Sequence, residues 1–462
     1  MKKQNRVTFF NILSTLLLQG ISVFTAPLFS RLLGTSGYGV MNIYSIWVGA
    51  LAIAFTLQTH GTLVNARVEY SQEHQNKYQS SVMSLSLMLF LACGGLVVVF
   101  LKPISAVLKL HWVIILLILL QAFGTFCVNF LNRKFTYEFH AGRNMVMSLT
   151  VTLTTLALSV ALILLMPDDI RYMGRILALA LTYGLIGIGI CIYILNQGKT
   201  FFNREYWKLC IPLALPAVFY SLSDLALGQS DQVMLRQMMG DSVTGIYGLA
   251  LKFGGVMFTI FTALNNSWVP FFFEDFKNGN HTQVKKQAKN FLELFTVLSV
   301  GFVLLTTEVY HFFARRDFWD GTILIPIFVS SYFLNFLCTF PVNYEYYHKK
   351  TKVVAVVTIT SSLVNILLNY ILIRRMGMAG AAVATCLSHG LQFGMHYVYT
   401  RYILCKGDYP FGIRLWAKYV AVYAAAVLLA WLTPEGWLVR WGLGAAIGVW
   451  ELYRIKKRKV LI

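Results

Sequence analysis

The sequence has few charged residues: Asp, Glu, Lys and Arg make up 13% of its 462 residues, about half the share found in an ordinary soluble protein. It also lacks any polar stretch long enough to fold as a sizeable soluble domain. These two absences exclude a soluble enzyme. They also argue against a nucleic-acid-binding protein, because no soluble module or aromatic platform accompanies the basic residues.

Sequence signatures of catalysis are missing as well. There is no Gly-x-x-x-x-Gly-Lys-Ser/Thr loop to cradle nucleotide phosphates, and the seven cysteines lack metal-type spacing. We therefore expect a protein that is not an enzyme, with no ATPase of its own, no metal and no other cofactor. A membrane glycosyltransferase or polymerase is the enzyme alternative, but it would place carboxylates or arginines on a long external loop.

The sequence contains long apolar runs, and 57% of its residues are hydrophobic. Runs such as 146–166 are apolar on every face, which favours membrane-spanning helices over the alternating strands of a barrel. At roughly 20 residues per crossing, the chain is predicted to be an all-α polytopic membrane protein with about 14 transmembrane helices. The predicted helices lie near 7–29, 40–63, 80–101, 111–132, 145–166, 175–195, 209–235, 245–271, 289–312, 322–343, 353–373, 379–403, 416–432 and 437–452.

The connections between these helices alternate in basic content. With the N-terminus in the cytoplasm, about two thirds of the 39 lysines and arginines fall in cytoplasmic segments, as the positive-inside rule requires. We predict a multi-pass protein of the cell (inner, cytoplasmic) membrane with both termini cytoplasmic. Much of the basic excess serves insertion, but three clusters are also candidate docking sites for anionic membrane lipid: Lys285, Lys286 and Lys289; Lys349, Lys350 and Lys352; and Arg454, Lys456, Lys457, Arg458 and Lys459.

An internal repeat is visible in the sequence. Helix 1 runs into Arg31-Leu-Leu-Gly34 and then Gly37-Tyr-Gly39, and helix 7 runs into Arg236 through Gly240 and then Gly245-Ile-Tyr-Gly248. An even number of helices separates the copies, so two halves of equal orientation are predicted. We expect two parallel six-helix lobes around a central cavity, at 1–203 and 204–404, followed by two extra C-terminal helices and a basic cytoplasmic tail at 405–462.

The same junctions carry a family resemblance. The stretch PLFSRLLGTSGYGVMNIY, from Pro27 to Tyr44, resembles the opening of bacterial polysaccharide flippases of the O-antigen and capsule type. These belong to the multidrug/oligosaccharidyl-lipid/polysaccharide exporter superfamily. The segments 231–235 and 243–250, DQVML and VTGIYGLA, are similar to that family's pattern at the start of the second half.

This resemblance implies an alternating-access flippase that moves undecaprenyl-pyrophosphate-linked oligosaccharide from the inner to the outer leaflet for surface polysaccharide biosynthesis. The implied partners are the lipid-linked oligosaccharide and, in the same pathway, a polysaccharide polymerase and glycosyltransferases. Two alternatives stay open within the superfamily: a lipid II flippase and a cation-coupled multidrug antiporter. The energy source is expected to be an H+ or Na+ gradient, or the gradient of the substrate itself.

Polar residues at three- and four-residue spacing run along the first two helices of each half, which places them on one helix face. Such stripes either line a hydrated path or hold helices together. The candidate path residues are Thr25 and Asn42 in the first half and Thr259 and Asn266 in the second, with Asn11, Thr15 and Ser22 on the same stripe as Thr25.

Ionisable residues within the membrane indicate which stripes are candidate sites. Placing one charged side chain at mid-membrane costs about 3 kcal/mol, so such a residue normally faces a cavity or a partner. Asp224 lies near the middle of predicted helix 7 and is the strongest candidate, either as a protonatable or cation-binding group or as half of a structural pair. Lys252 either attracts pyrophosphate or extends toward the membrane surface. Asp231, Arg31 and Arg236 are predicted to form an external gate of ion pairs or to anchor the interface.

Two histidines, His389 and His396, share one face of predicted helix 12. A proton relay is one interpretation of this spacing, and packing within a helix interface is the other.

Overall fold

A computed structural model describes residues 3–406, 409, 411–433 and 435–458, with side chains described at residue 21, at 25–406, and beyond that everywhere except 455 and 458. The described part of the chain is 91% helical and contains no strand. This confirms the all-α prediction. The stripe residues Asn11, Thr15 and Ser22 have side chains outside the described set, as does Arg458, and Lys459 lies outside the described residues altogether.

Fourteen α-helices follow one another along the described residues. They are α1 (Lys3–Ala54), α2 (Leu63–Glu69), α3 (Gln72–Val99), α4 (Leu101–Leu108), α5 (Trp112–Tyr137), α6 (Ala141–Leu165), α7 (Arg171–Gly198), α8 (Arg204–Met239), α9 (Asp241–Lys277), α10 (His281–Phe313), α11 (Ile325–Tyr347), α12 (Thr351–Val398), α13 (Ile413–Leu432) and α14 (Trp437–Arg458). Short 3₁₀ segments precede α2, α7 and α11, and a π-helical turn, Tyr399–Leu404, follows α12.

Eleven helical segments of the described chain are long and apolar enough to cross a membrane. One of them, the 54 residues of Thr351–Leu404, is about 80 Å long, more than twice the hydrocarbon thickness. It therefore supplies two crossings. The chain is a multi-pass membrane protein; α14 and the first arm of α1 are not among these eleven segments.

Two predicted loops are wrong, because single glycines replace them. The structure joins predicted helices 1 and 2 into α1, which breaks only at Gly34, with φ 66° and ψ −179°. It joins predicted helices 11 and 12 into α12, which breaks at Gly377, with φ 58° and ψ −137°. Positive φ is accessible to glycine without steric cost, so one residue makes each turn. A single turning residue leaves almost no polar signal in the sequence.

The end of predicted helix 2 is also corrected: α1 ends at Ala54 rather than at 63. The hydroxyl of Thr56 donates to the carbonyl of Ala52 at 2.5 Å, and Leu57 and Gln58 both have positive φ. Side-chain bonding to the preceding turn competes with helix continuation, and the two left-handed residues then redirect the chain into α2.

Two compact units divide the chain, Met1–Leu225 and Ala226–Ile462. The division falls inside α8, whereas the predicted lobe boundary at 203/204 precedes that helix. The reason lies in the contacts of α8. In its first half, the Trp207 indole donates to the carbonyl of Ser81 at 3.1 Å; in its second half, Ser230 donates to Asn365 at 3.1 Å. The assignment of lobes to 1–203, 204–404 and 405–462 stays a prediction.

The first unit packs its helices through glycine. A Cβ built on Gly124 of α5 would overlap the backbone of α7, and one built on Gly187 of α7 would overlap the backbone of α5. Small residues at a crossing allow this close approach, which is how helices associate in lipid. A Cβ built on Gly174 of α7 would likewise overlap the backbone of α6, at 2.8 Å from Leu162.

The second unit has an aromatic core. The Trp268 and Phe291 rings stack at 5.2 Å between centroids, and Phe295 and Phe336 lie 4.3 Å apart. These residues bring together α9, α10 and α11.

The last helix, α14, is attached to α10 at both ends. Near its start the fully buried Arg440 pairs with Glu308, and near its end Arg454 pairs with Glu293. The planar guanidinium group matches the geometry of a carboxylate, so both pairs tie α14 to α10.

Glycine geometry supports the predicted internal repeat. Gly240, between α8 and α9, has φ 91° and ψ −178°, the same backbone region as Gly34. A Cβ built on Gly380 would overlap the backbone of the preceding part of α12, and one built on Gly174 would overlap the backbone of the preceding helix, α6. The sequence separation from Gly34 to Gly240 equals that from Gly174 to Gly380. Two independent junctions therefore recur at one spacing, as an internal duplication predicts.

Candidate functional site

The most completely buried acidic side chain at a predicted site is Asp231 of α8, which is 1% exposed. Its Oδ2 accepts a hydrogen bond from the hydroxyl of Tyr247 in α9 and lies 3.4 Å from the hydroxyl of Thr385 in α12. Its Oδ1 accepts from the backbone N–H of Gln232 at 2.7 Å. All three hydrogen-bond donors are neutral groups. None of them supplies a positive charge to balance the carboxylate.

Two asparagines of α12 continue the same network. The amide of Asn365 donates to Thr385 at 3.4 Å, and the amide of Asn369 donates to the Asn365 oxygen at 2.9 Å. Both asparagines are fully buried. We call Asp231, Tyr247, Asn365, Asn369 and Thr385 the Asp231 cluster.

One oxygen atom of the Asp231 cluster lacks a hydrogen-bond donor within the described part of the chain. The Asn369 Oδ1 is buried and accepts no hydrogen bond from the described residues. A buried polar atom without a partner costs free energy, and a buried carboxylate costs more unless it is paired or protonated. Carboxylate, amide and hydroxyl oxygens are the ligands preferred by hard cations. The oxygen atoms of the cluster therefore fit a bound proton or a small hard cation. The described residues contain no group of three or more His, Cys, Asp or Glu side chains arranged for a metal.

Sequence reasoning found Asp231 but missed its asparagine and threonine neighbours. Asn365 and Asn369 are one turn apart in an otherwise apolar run of α12, and this i, i+4 pair is the signal that was available. Nothing in the sequence indicated that α12 would pack against Asp231.

The structure assigns Arg236 a different partner from the predicted gate. Its Nε lies 2.5 Å from the Asp241 carboxylate, across the glycine turn between α8 and α9, while the Asp231 oxygens accept from the neutral donors described above. Because Arg236 has a carboxylate only five residues away, the local pair forms instead of the predicted pair with Asp231. Arg31 is an exposed residue of the first unit and forms interactions of its own.

Asp224 is exposed, and no described residue forms a hydrogen bond or ion pair with it. One turn earlier on α8, Ser221 donates to the side-chain oxygen of Gln58 at 3.1 Å. The alternative in which Asp224 is half of a structural pair within its unit therefore has no support from these contacts. Its role as a protonatable or cation-binding group stays a prediction.

The polar stripe of α9 lies on an exposed or half-exposed helix face. Lys252 and Asn266 are exposed, and Lys252 takes part in further interactions. Thr259 donates to the carbonyl of Gly255 at 3.3 Å, and Thr262 donates to that of Phe258 at 2.9 Å. These hydroxyls are satisfied by their own helix, so they do not act as bonds between helices.

In the first unit, Asn42 is 4% exposed, and its side-chain N–H group has no hydrogen-bond partner among the described residues. Near it, the Tyr44 hydroxyl donates to Gln121 at 2.6 Å. Thr25 is half-buried and has interactions of its own. The role of Thr25 and Asn42 in a substrate path stays a prediction.

The two histidines are packed inside the second unit. His396 Nδ1 lies 2.9 Å from Oε1 and 3.0 Å from Oε2 of Glu345, and His389 Nδ1 lies 3.3 Å from Gln392. The hydroxyl of Thr400 donates to Glu345 at 3.0 Å. Each histidine has its own separate partner, so the contacts favour the packing interpretation over a relay from one histidine to the other.

The fold is similar to those of two solved polytopic membrane proteins. It is similar over 98% of this chain and 99% of the other to the lipid II flippase MurJ in an inward closed conformation, at 16% identity and a TM-score of 0.67. It is similar over 86% of this chain and 95% of the other to an inward-facing multidrug resistance MATE family transporter of the MOP superfamily, at 14% identity and a TM-score of 0.61.

The sequence is more specific about the family. A family profile described as "Polysaccharide biosynthesis protein" matches residues 5–276, and the chain belongs to that family. A relative from Haemophilus influenzae, described as an uncharacterized membrane protein, is 22% identical over 356 residues, covering 73% of this chain and 82% of its own length. These findings confirm the predicted resemblance to polysaccharide flippases.

Proposed function

We propose that this protein is a transporter that flips undecaprenyl-pyrophosphate-linked oligosaccharide from the inner to the outer leaflet, and that it contributes to surface polysaccharide biosynthesis. Family membership and the carrier fold support a flippase of this superfamily. The pyrophosphate-linked oligosaccharide is the finer part of the proposal, taken from the sequence resemblance. Both termini are cytoplasmic in this proposal, as the distribution of basic residues indicates.

We further propose that H+ or Na+ drives transport by binding at the Asp231 cluster. The observation that carries this proposal is a fully buried carboxylate with neutral donors only, beside an Asn369 oxygen that accepts no hydrogen bond from the described residues. A proton or cation that binds Asp231 more tightly in one state of the carrier would shift the balance between its states. Lys252 and Asp224 stay candidates for contact with substrate or ion.

The test uses the purified chain in vesicles with a fluorescent lipid-linked oligosaccharide, with a Na+ or pH gradient imposed. The native chain should accelerate leaflet exchange, and the gradient should stimulate that exchange. Asp231→Asn should keep the folded state but lose the stimulation, because the amide neither ionises nor balances a cation. Asp320→Asn, at an exposed aspartate of the same unit, is the matched control and should behave as native.

The outcomes separate the two parts of the proposal. Exchange without any response to either gradient would refute the ion site but leave the flippase. Exchange of lipid II with no exchange of the oligosaccharide lipid would assign the chain as a lipid II flippase. Gradient-driven movement of organic cations alone would assign it as a multidrug antiporter. Absence of exchange with every lipid would refute the flippase itself.

A further inference from the structure

A shallow groove lies along the first turns of α8. Its volume is about 340 Å³, and six residues line it: Phe202, Arg204, Trp207, Lys208, Ile211 and Pro212. We call it the α8 groove. Because α8 crosses the membrane and begins at Arg204, the groove extends from the water interface toward the hydrocarbon. Its residues belong to the first unit, whereas the Asp231 cluster belongs to the second.

The wall of the groove is held in place by the protein. The Trp207 indole N–H is shared between the carbonyl and the hydroxyl of Ser81, both at 3.1 Å. The Phe202 ring contacts the indole edge to face at 4.7 Å between centroids. A tryptophan so fixed at the start of a transmembrane helix is typical of the membrane interface. The groove is thus a preformed surface for a lipid to contact.

Two cations stand at the interfacial end of the groove. Arg204 and Lys208 are one helical turn apart, so they lie on the same face of α8. Both are exposed, and neither forms an ion pair with any described residue. Glu205, the acidic residue of the first turn, does not line the groove. The lining of the groove therefore carries two cations and no acidic residue.

The opposite end of the groove is apolar. Ile211 and Pro212 follow the two cations along the same helix. Further along, Leu215 and Phe219 are 44% and 60% exposed. A molecule that matches this order has an anionic group at one end and a hydrocarbon chain at the other.

From this arrangement we infer that the α8 groove binds one anionic phospholipid, with its phosphate between Arg204 and Lys208 and an acyl chain along Ile211 and Pro212. With the proposed orientation of the chain, the start of α8 is cytoplasmic, so the lipid comes from the inner leaflet. Juxtamembrane lysines and arginines each contribute about a fivefold gain in affinity for anionic lipid. Two of them predict roughly 25-fold selectivity over a zwitterionic lipid of the same chain length.

Native mass spectrometry of the purified full chain tests this inference, with phosphatidylglycerol and phosphatidylcholine of identical acyl chains as the probes. The native chain should retain phosphatidylglycerol in preference to phosphatidylcholine. The double variant Arg204→Gln/Lys208→Gln should lose this preference. The double variant Arg414→Gln/Lys418→Gln removes an exposed arginine and an exposed lysine that are also one turn apart, at the start of α13, and should keep it.

Three results would overturn the inference. The first is equal retention of the two lipids by the native chain, and the second is an equal loss of preference in both double variants, which would mean general charge attraction. The third is obtained with undecaprenyl pyrophosphate as an additional probe: if the native chain retains it but not phosphatidylglycerol, and Arg204→Gln/Lys208→Gln loses it, the groove is a substrate site. Binding is measured without transport, so this test does not depend on the proposed flippase activity.

Discussion

The buried Glu345–His396 pair is expected to contribute to the stability of the protein. Both side chains are 0% exposed, and the carboxylate also accepts a hydrogen bond from Thr400. Removing one partner of a buried pair costs about 3–5 kcal/mol, because the other polar group stays buried without compensation. Glu345→Ala should therefore destabilise the protein by about that amount.

A conservative variant separates charge from hydrogen bonding. Glu345→Gln keeps an oxygen that can accept from Thr400, so its cost should be nearer to that of one hydrogen bond, about 1–2 kcal/mol. Thermal unfolding of the purified chain in detergent, followed by far-UV circular dichroism, gives the order of stability: native, then Glu345→Gln, then Glu345→Ala.

A double-mutant cycle with His396→Ala measures the pair itself. The combined variant Glu345→Ala/His396→Ala should lose less stability than the sum of the two single variants, because each single change already breaks the pair. Additive losses would refute the reasoning, as would a loss below about 1 kcal/mol for Glu345→Ala. Either result would mean that the two groups do not depend on each other in the membrane-embedded protein.

Three further predictions concern backbone and packing. Gly34→Ala and Gly240→Ala should each destabilise the protein by about 1–3 kcal/mol in thermal unfolding, because positive φ with extended ψ is essentially confined to glycine. Gly174→Ala should lower the unfolding midpoint more than Gly189→Ala in the same helix, because a Cβ overlaps the α6 backbone at the first position and meets nothing at the second. Arg440→Met should cost about 1–3 kcal/mol and expose α14 to limited proteolysis, because the variant leaves a carboxylate of α10 unpaired.

Each of these has its own control. For the two turn glycines the control is Gly228→Ala, at an open position of α8. This variant should be neutral or stabilising, because alanine favours helix. A similar loss of stability in Gly228→Ala would contradict the turn argument. For the helix crossing, equal midpoints for the two α7 variants would contradict the close approach. For α14, the Arg440→Lys variant should recover part of the stability, and no recovery would mean that the pair with Glu308 is unimportant.

Much of the membrane architecture could be predicted from the sequence. Helix number and class follow from apolar run length, because a bilayer of nearly fixed thickness imposes the same length on every crossing. The repeat was visible because a turn that combines positive φ with extended ψ is essentially confined to glycine, so the junctions at Gly34 and Gly240 carry a residue-level signal. The family resemblance could be recognised from the sequence because the motifs of the family include or flank these junctions.

The polar interior was decided by tertiary structure alone. Asp231 was identifiable as an intramembrane carboxylate, but Asn365, Asn369 and Thr385 join it only because α12 packs against α8 and α9. The partner of His396 was equally hidden, since Glu345 lies in a different helix. Helical periodicity tells which residues share a face of one helix. It does not tell which face of another helix that surface will meet, and this is settled only when side chains from distant parts of the chain pack together.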